Sequence, residues 1–171
     1  LFFWDIAMQS GADNNPAMNY FKEDTRSYLA PDINTFQYKE YLSQAAIAKI
    51  LNNKIDEDIY NNKTEVLKTA INTFLCSDKD SVFYSVDGEI GHFYKRISYS
   101  SFIPLIADIP NHKNGVAMIE KYLISEKYMK AKYGFRSLSA TDPDYNNENV
   151  IVPYSNWQGP TPPPGGGKMK G

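Results

Sequence analysis

A strip near the amino terminus gathers residue types that bind and cleave sugars. Trp4 and Asp5 are followed after a few residues by Gly11, Asp13 and Asn14. The face of a tryptophan ring stacks on the apolar face of a pyranose, and Asp and Asn side chains hydrogen-bond hydroxyl groups. A glycine close to Asp13 leaves room for a ligand near the backbone. The strip therefore predicts a carbohydrate site in which Asp13 is the catalytic candidate and Trp4, Asp5 and Asn14 contact the sugar.

Asp13 also has a second interpretation. It lies three residues before Pro16, and Asp or Asn before a proline in the first turn of a helix commonly serves as a helix cap. On the local sequence alone, capping and catalysis both remain open.

Five segments, in the same order, resemble motifs of glycoside hydrolase family 63 and its relatives, the mannosylglycerate hydrolases and trehalases. Ser-Gly-Ala-Asp-Asn at 10–14 is similar to the general-acid motif of that family. Ser85 departs from the pattern, since the family's hairpin motif usually has Asp there. The other matching segments are residues 32–41, 83–87, 99–105 and 153–160.

The resemblance implies a fold, an activity and further site residues. The fold would be a partial (α/α)6 barrel, and the activity hydrolysis of α-glycosidic bonds with inversion, with Asp13 protonating the leaving oxygen. Gln158 stands where many relatives have Arg, which favours a neutral gluco- or manno-configured saccharide over an anionic one. Trp157 has an alternative role as a hinge plug held by Pro160. The additional residues that the match places around the sugar are Asn34, Tyr38, Trp157, Gln158 and Gly159.

The second carboxylate of such an enzyme is not evident in the sequence. In the resembling enzymes the general base is a Glu downstream of the 153–160 motif, and this chain has no acidic residue after Glu148. Glu40, in a helix-start motif, and Glu148, in a predicted loop, are the possible substitutes. An alternative function is a non-catalytic carbohydrate-binding remnant that keeps Trp4, Asn34 and Trp157. A third possibility is that a partial barrel does not fold alone.

The hydrophobic pattern predicts an all-α chain with one small β-hairpin near 81–97. Residues 34–52 form a helix whose wide apolar band, which includes Ile47 and Ile50, needs partners on two sides. Residues 63–75 form a one-sided amphipathic helix whose apolar stripe includes Val66. The hairpin joins 81–86 to 91–97 through an Asp-Gly turn. Further helices are predicted at 101–109 and 114–129, followed by a loop over 137–157.

Length and composition predict one domain over 1–160 and a tail over 161–171. The tail is rich in Pro and Gly and cannot build a core, so we expect it to be disordered. A formal net charge of −2 gives no long-range attraction to nucleic acid or to an anionic membrane. The expected partner is an oligosaccharide or small glycoside, and we expect the remainder of the barrel to be missing from this chain.

Single features exclude other classes of protein. One cysteine, Cys76, cannot form an internal disulfide, and its place in a helical pattern predicts a buried structural thiol. No apolar run approaches the ~20 residues that span a bilayer. The opening Leu-Phe-Phe-Trp lacks the basic start of a signal peptide, so a cytoplasmic location is favoured.

Neither a metal nor a cofactor is predicted. His92 and His112 have no metal-ligand spacing with a cysteine or with each other. The series 142–146 begins like a calcium loop but lacks Gly at the sixth place and Glu at the twelfth, so a solvated turn is expected.

Overall fold

Two long helices joined by a short connection form the largest unit of the computed structural model, which describes residues 1–5, 7–12 and 27–145. Helix α1 spans Pro31–Ile50 and helix α2 spans Lys54–Leu75. Pro31 suits the first turn because its fixed φ matches a helix and its missing N–H is not needed there. Asn53 caps α2 by accepting a hydrogen bond from the amide of Asp56 at 3.2 Å.

The core lies along one stripe of α2. Thr64, Leu67, Ile71 and Leu75 are buried at helical spacing and face the same side. Leu67, Ile71 and Leu75 belong to a cluster that includes Tyr38 of α1 and the buried side chains Val82, Phe83, Val86, Phe102, Ile109, Met118, Tyr122 and Met129. Helices were predicted at 34–52 and 63–75. Both are present, but each begins before the predicted start, by three residues in α1 and nine in α2.

Each helix also carries apolar side chains on a second side, which the described chain leaves exposed. Ile47 is 52% exposed and Ile50 is 78% exposed, although both belong to the band predicted to need two partners. On α2, Val66 is 61% exposed, so its prediction as part of a single buried stripe was wrong. The two helices α1 and α2 form a helical hairpin, and we call its exposed apolar side chains the far side of the hairpin. They are Phe36, Leu42, Ile47, Ile50, Ile55, Ile59, Val66 and Phe74.

The described residues form three small antiparallel sheets, whereas the sequence predicted a single β-hairpin. Strands β1 (Tyr28–Leu29), β4 (Ser85–Asp87) and β5 (His92–Tyr94) form an antiparallel sheet in the order β1-β4-β5. The pairing of β4 with β5 confirms a hairpin in this region. Strand β2 (Cys76–Ser77) pairs with β3 (Val82–Phe83), and β6 (Lys130–Ala131) pairs with β7 (Gly134–Phe135). The described chain is therefore mainly helical with small sheets, rather than all-α.

The second half of the chain contains helices near both predicted ranges, 101–109 and 114–129, but they are not regular α-helices throughout. A 3-10 helix spans Tyr99–Ala107 and ends at Asp108, which adopts φ +49°. Helix α3 (His112–Ala117) continues directly as a π-helical segment over Met118–Leu123. The predicted loop over 137–157 begins with an isolated bridge between Ser98 and Leu138. Its part beyond residue 145 and the predicted tail over 161–171 lie outside the described residues.

Among the described residues, none of the helices combines the length and the apolar character that crossing a bilayer requires.

Candidate active site

The amino-terminal strip, residues 1–5, lies against the start of α1. The backbone amide of Phe2 donates to Asn34 Oδ1 at 2.7 Å, and Asn34 Nδ2 donates to the Phe2 carbonyl oxygen at 2.9 Å. The same Nδ2 also donates to the carbonyl oxygen of Ala30 at 2.8 Å. Asn34 is completely buried. Its amide thus holds the backbone of the strip much as a neighbouring β-strand would.

Asp32 is the centre of a buried polar cluster beside Asn34. The residue is 4% exposed, and its carboxylate accepts hydrogen bonds from the Tyr99 hydroxyl at 3.0 Å and the Ile33 amide at 2.7 Å. Burial raises the pKa of Asp32, whereas the hydrogen bonds from the Ile33 amide and the Tyr99 hydroxyl act in the opposite direction. The cluster therefore joins the strip, α1 and the 99–107 helix.

Two tyrosines beside Asp32 stay protonated. Tyr28 accepts a hydrogen bond from the Ser85 hydroxyl at 2.7 Å, and its ring packs in a small cluster with Ala30 and Trp4. Burial first, and then the charge of Asp32, raise the pKa of Tyr28 far above its usual value. Burial and Asp32 have the same effect on the pKa of Tyr99. Neither phenol is therefore available as an anion near neutral pH.

The chain leading to Asp13 is held by local hydrogen bonds. The Asp5 amide donates to Gln9 Oε1 at 3.0 Å, and the Ala12 amide donates to Ser10 Oγ at 3.0 Å. A 3-10 turn spans Ala7–Ser10, and Gly11 then adopts φ +69°, a left-handed conformation that favours glycine. Ala12 is fully buried. These contacts fix the backbone up to the residue before Asp13.

The structure brings only some of the predicted site residues together. Trp4, Asp5 and Asn34 lie at or against the strip, with Trp4 partly buried and Asp5 exposed. Tyr38 packs in the main core, where burial raises its pKa. Glu40, a possible substitute base, is exposed on α1 and accepts a hydrogen bond from Gln44 Nε2 at 2.6 Å. The predicted residues outside the described part of the chain are Asp13, Asn14, Glu148, Trp157, Gln158 and Gly159.

The buried polar cluster was not predicted from the sequence as part of the site. Its residues are Asp32, Tyr99, Tyr28 and Ser85. Asp32 and Tyr99 are 67 positions apart, so no local spacing reveals their contact. The available signal was that Asp32 and Asn34 begin one family motif while Tyr99 begins another.

Two other predicted features have structural roles. Cys76 is buried as expected, and burial, with a smaller effect from the charge of Asp78, raises its thiol pKa to about 11. The expected solvated turn is instead an ion-paired one. Arg96 binds the Asp142 carboxylate at 3.0 Å and also pairs with Asp144. Within the described ranges, no three His, Cys, Asp or Glu side chains converge as metal ligands.

The chain is similar to several known proteins, and it spans less than half the length of each. It is 26% identical over 131 residues to an uncharacterized protein of Borreliella burgdorferi, a match that covers 75% of this chain and 27% of that protein. Its fold is similar to that of a sialidase, with a TM-score of 0.72 and 19% identity, over 86% of this chain and 13% of the sialidase chain.

Two further solved structures share the fold. A glycoside hydrolase family 63 mannosylglycerate hydrolase from Thermus thermophilus, in complex with glucose, matches with a TM-score of 0.68 at 14% identity, over 92% of this chain and 45% of that one. The neutral trehalase of Saccharomyces cerevisiae matches with a TM-score of 0.61 at 16% identity, over 78% and 25%. The family model for the mannosylglycerate hydrolase MGH1-like glycoside hydrolase domain matches residues 5–163, so this chain belongs to that glycoside hydrolase family.

Proposed function

We propose that this domain contributes to hydrolysis of α-glycosidic bonds with inversion, and that Asp13 is its general acid. The observation that carries the proposal is the family match over residues 5–163, which includes the acid motif at 10–14. The segment between the strip and Asp13 supports it, because local hydrogen bonds fix its backbone as far as Ala12.

The reaction requires two carboxyl groups with different charges. Asp13 would donate its proton to the leaving oxygen, while a second carboxylate, ~6.5–9.5 Å away, would deprotonate the attacking water. To hold a proton near neutral pH, Asp13 needs a pKa well above the ordinary value of about 3.9. Nearby aromatic rings and the carboxylate of Asp5 are the groups in the strip that would raise it.

Trp4 is the proposed sugar-stacking residue. Its side chain packs against Tyr28 and Ala30, and the residue remains partly exposed. Stacking on a sugar requires a ring that is held by the protein and still accessible. Asp5, Asn14, Trp157, Gln158 and Gly159 are proposed to contact the same saccharide, which the Gln at 158 favours as neutral. Tyr38, by contrast, is proposed to support the site by packing in the core and not to contact the saccharide.

The general base is proposed to come from protein outside residues 1–171. The far side of the hairpin supports this, because large exposed apolar patches commonly mark surfaces that contact other protein. Ile47 and Ile50 are more than half exposed on α1. We propose that further helices of a barrel pack there and supply the missing carboxylate.

The test is hydrolysis of neutral α-glucosides, α-mannosides and trehalose by the full-length protein that contains this domain. Asp13→Asn should lower kcat by about 100- to 10,000-fold, the usual contribution of a general acid. The matched control is Asp58→Asn, which removes an exposed carboxylate of α2 that pairs with Lys54 and should retain the turnover. Release of the sugar with inverted anomeric configuration, followed by NMR, tests the stereochemistry. Full activity of Asp13→Asn would exclude the proposed acid.

A second candidate is carbohydrate binding without catalysis. The observation that favours it is that Trp4 remains partly exposed at the start of the chain, an arrangement that suits stacking on a sugar whether or not a reaction follows. It predicts that the protein binds a saccharide by calorimetry but turns over none of the substrates, and that Asp13→Asn leaves the affinity unchanged.

A further inference from the structure

Asp32 and Asn34, at the start of the 32–41 segment, hold the amino-terminal strip at two points. Asn34 binds both backbone groups of Phe2, and the Phe2 ring packs edge-on against Tyr41, with ring centroids 6.4 Å apart. A side chain that satisfies the N–H and C=O of one residue fixes both the position and the direction of an extended segment. The first contact therefore sets the register of the strip on α1.

The second point lies two residues further along. Trp4 packs against Tyr28 and Ala30 beside Asp32, whose carboxylate accepts a hydrogen bond from the Tyr99 hydroxyl at 3.0 Å. The amide of Asp32 donates to Ser100 Oγ at 3.4 Å, which ties this point to the 99–107 helix as well.

We propose that Asn34 and Asp32 are positioning residues that set the depth of Trp4 and the place of Asp13 in the site, and that neither contacts the sugar. The complete burial of Asn34 and its three hydrogen bonds within the protein leave its amide no free group for a hydroxyl. The inference rests on the proposed role of Asp13. It departs from the expectation that Asn34 reads sugar hydroxyls.

Asn34→Ala tests this proposal, with Asn72→Ala as the matched control. Asn72 Nδ2 likewise donates to two carbonyl oxygens, those of Lys68 and Ile109, each at 3.0 Å, but Asn72 does not touch the strip. Both variants lose comparable bonds and should lower Tm. Only Asn34→Ala should lower kcat, by about a hundredfold if Asp13 shifts by about 1 Å, and move the acid limb of the pH profile.

Trp4 gives a readout that does not depend on activity. The indole N–H of Trp4 should exchange slowly with solvent in the native protein and rapidly in Asn34→Ala, as measured by NMR after assignment with Trp157→Phe. Retention of slow exchange together with native kcat in Asn34→Ala would overturn the proposal. If Asp13→Asn is fully active but the exchange of Trp4 still depends on Asn34, the catalytic assignment fails while the anchor stands.

Tyr99→Phe is the milder variant if Asn34→Ala does not fold. It removes only the hydroxyl that binds Asp32 and keeps the ring. We expect a loss of about tenfold in kcat with KM little changed, because a loosened Asp32 holds Trp4 less firmly. A native kcat and pH profile in this variant would count against the role of Asp32.

Discussion

The two halves of helix α1 have opposite surroundings. At its start, the polar residues Asp32 and Asn34 are buried and bound to the strip and to the 99–107 helix. Toward its end, the apolar residues Ile47 and Ile50 are exposed. Burial along this helix therefore depends on whether the described chain packs against a residue, and not on whether that residue is hydrophobic. The described chain encloses the polar end of the helix and leaves the apolar end exposed.

The largest effect expected from this contrast concerns two isoleucines. Ile71 is fully buried in α2, and Ile71→Ala should lower the free energy of unfolding by about 2–5 kcal/mol, through lost burial and the cavity left behind. Ile50→Ala removes the same atoms from an exposed site and should change it by no more than about 0.5 kcal/mol. Urea denaturation of the two variants gives the comparison. A similar loss in both would mean that the far side of the hairpin is already covered.

The second effect is a pH dependence of stability at the polar end. Because burial raises the pKa of Asp32, the folded state binds this proton more tightly than the unfolded chain does. The contribution of Asp32 to the free energy of unfolding should thus fall as pH rises from the unfolded pKa, about 3.9, through the native pKa. Asp32→Asn does not titrate and should remove that part of the slope in denaturation curves measured across pH.

Asp80 provides the opposite control for this pH dependence. The hydrogen bond from Lys95, at 2.8 Å, lowers the pKa of Asp80, so its stabilisation is present above the unfolded pKa and is lost as pH falls through the native one. Asp80→Asn should remove stability at neutral pH and leave the Asp32 slope in place. Equal slopes in the native protein and Asp32→Asn would contradict the assignment.

The smallest effect concerns the alkylation rate of Cys76. This rate reports local opening of the protein and requires no substitution. With a thiol pKa of about 11, little thiolate is present at pH 8, and burial limits access. Alkylation by iodoacetamide should be on the order of a hundredfold slower than in the unfolded chain in urea. Glutathione under the same conditions is the reference thiol. Equal rates for native and unfolded protein would show that this end of α2 opens readily.

The sequence predicted the regular elements better than it predicted their partners. The apolar periodicity located α1 and α2, but it assigned Val66 to the buried stripe because periodicity cannot distinguish a covered face from an uncovered one. It located the β4–β5 hairpin through the Asp-Gly turn. Strand β1 was missed because two residues are too short to show alternation, and its pairing with β4 spans more than fifty positions.

The candidate site was predicted from residue types and motifs, whereas the roles of its residues needed the structure. Asn34 has the chemistry of a sugar ligand in the sequence, yet it is buried and bound to Phe2 and Ala30. The glycine at 11 was assigned to ligand access, but its φ of +69° gives a backbone reason for the residue. A sequence gives functional groups, and only the fold shows which of them are already engaged.

The bond between Phe2 and Asn34 closes a ring of the chain across 32 positions. The entropy of closing such a ring grows only with the logarithm of its length, and doubling the intervening chain costs about 0.6 kcal/mol. The cost of holding the two ends together is therefore set mainly by the contacts at the ends themselves. Asn34 thus ties the first residues of the chain to α1 at a closure cost that a shorter or longer ring would hardly change.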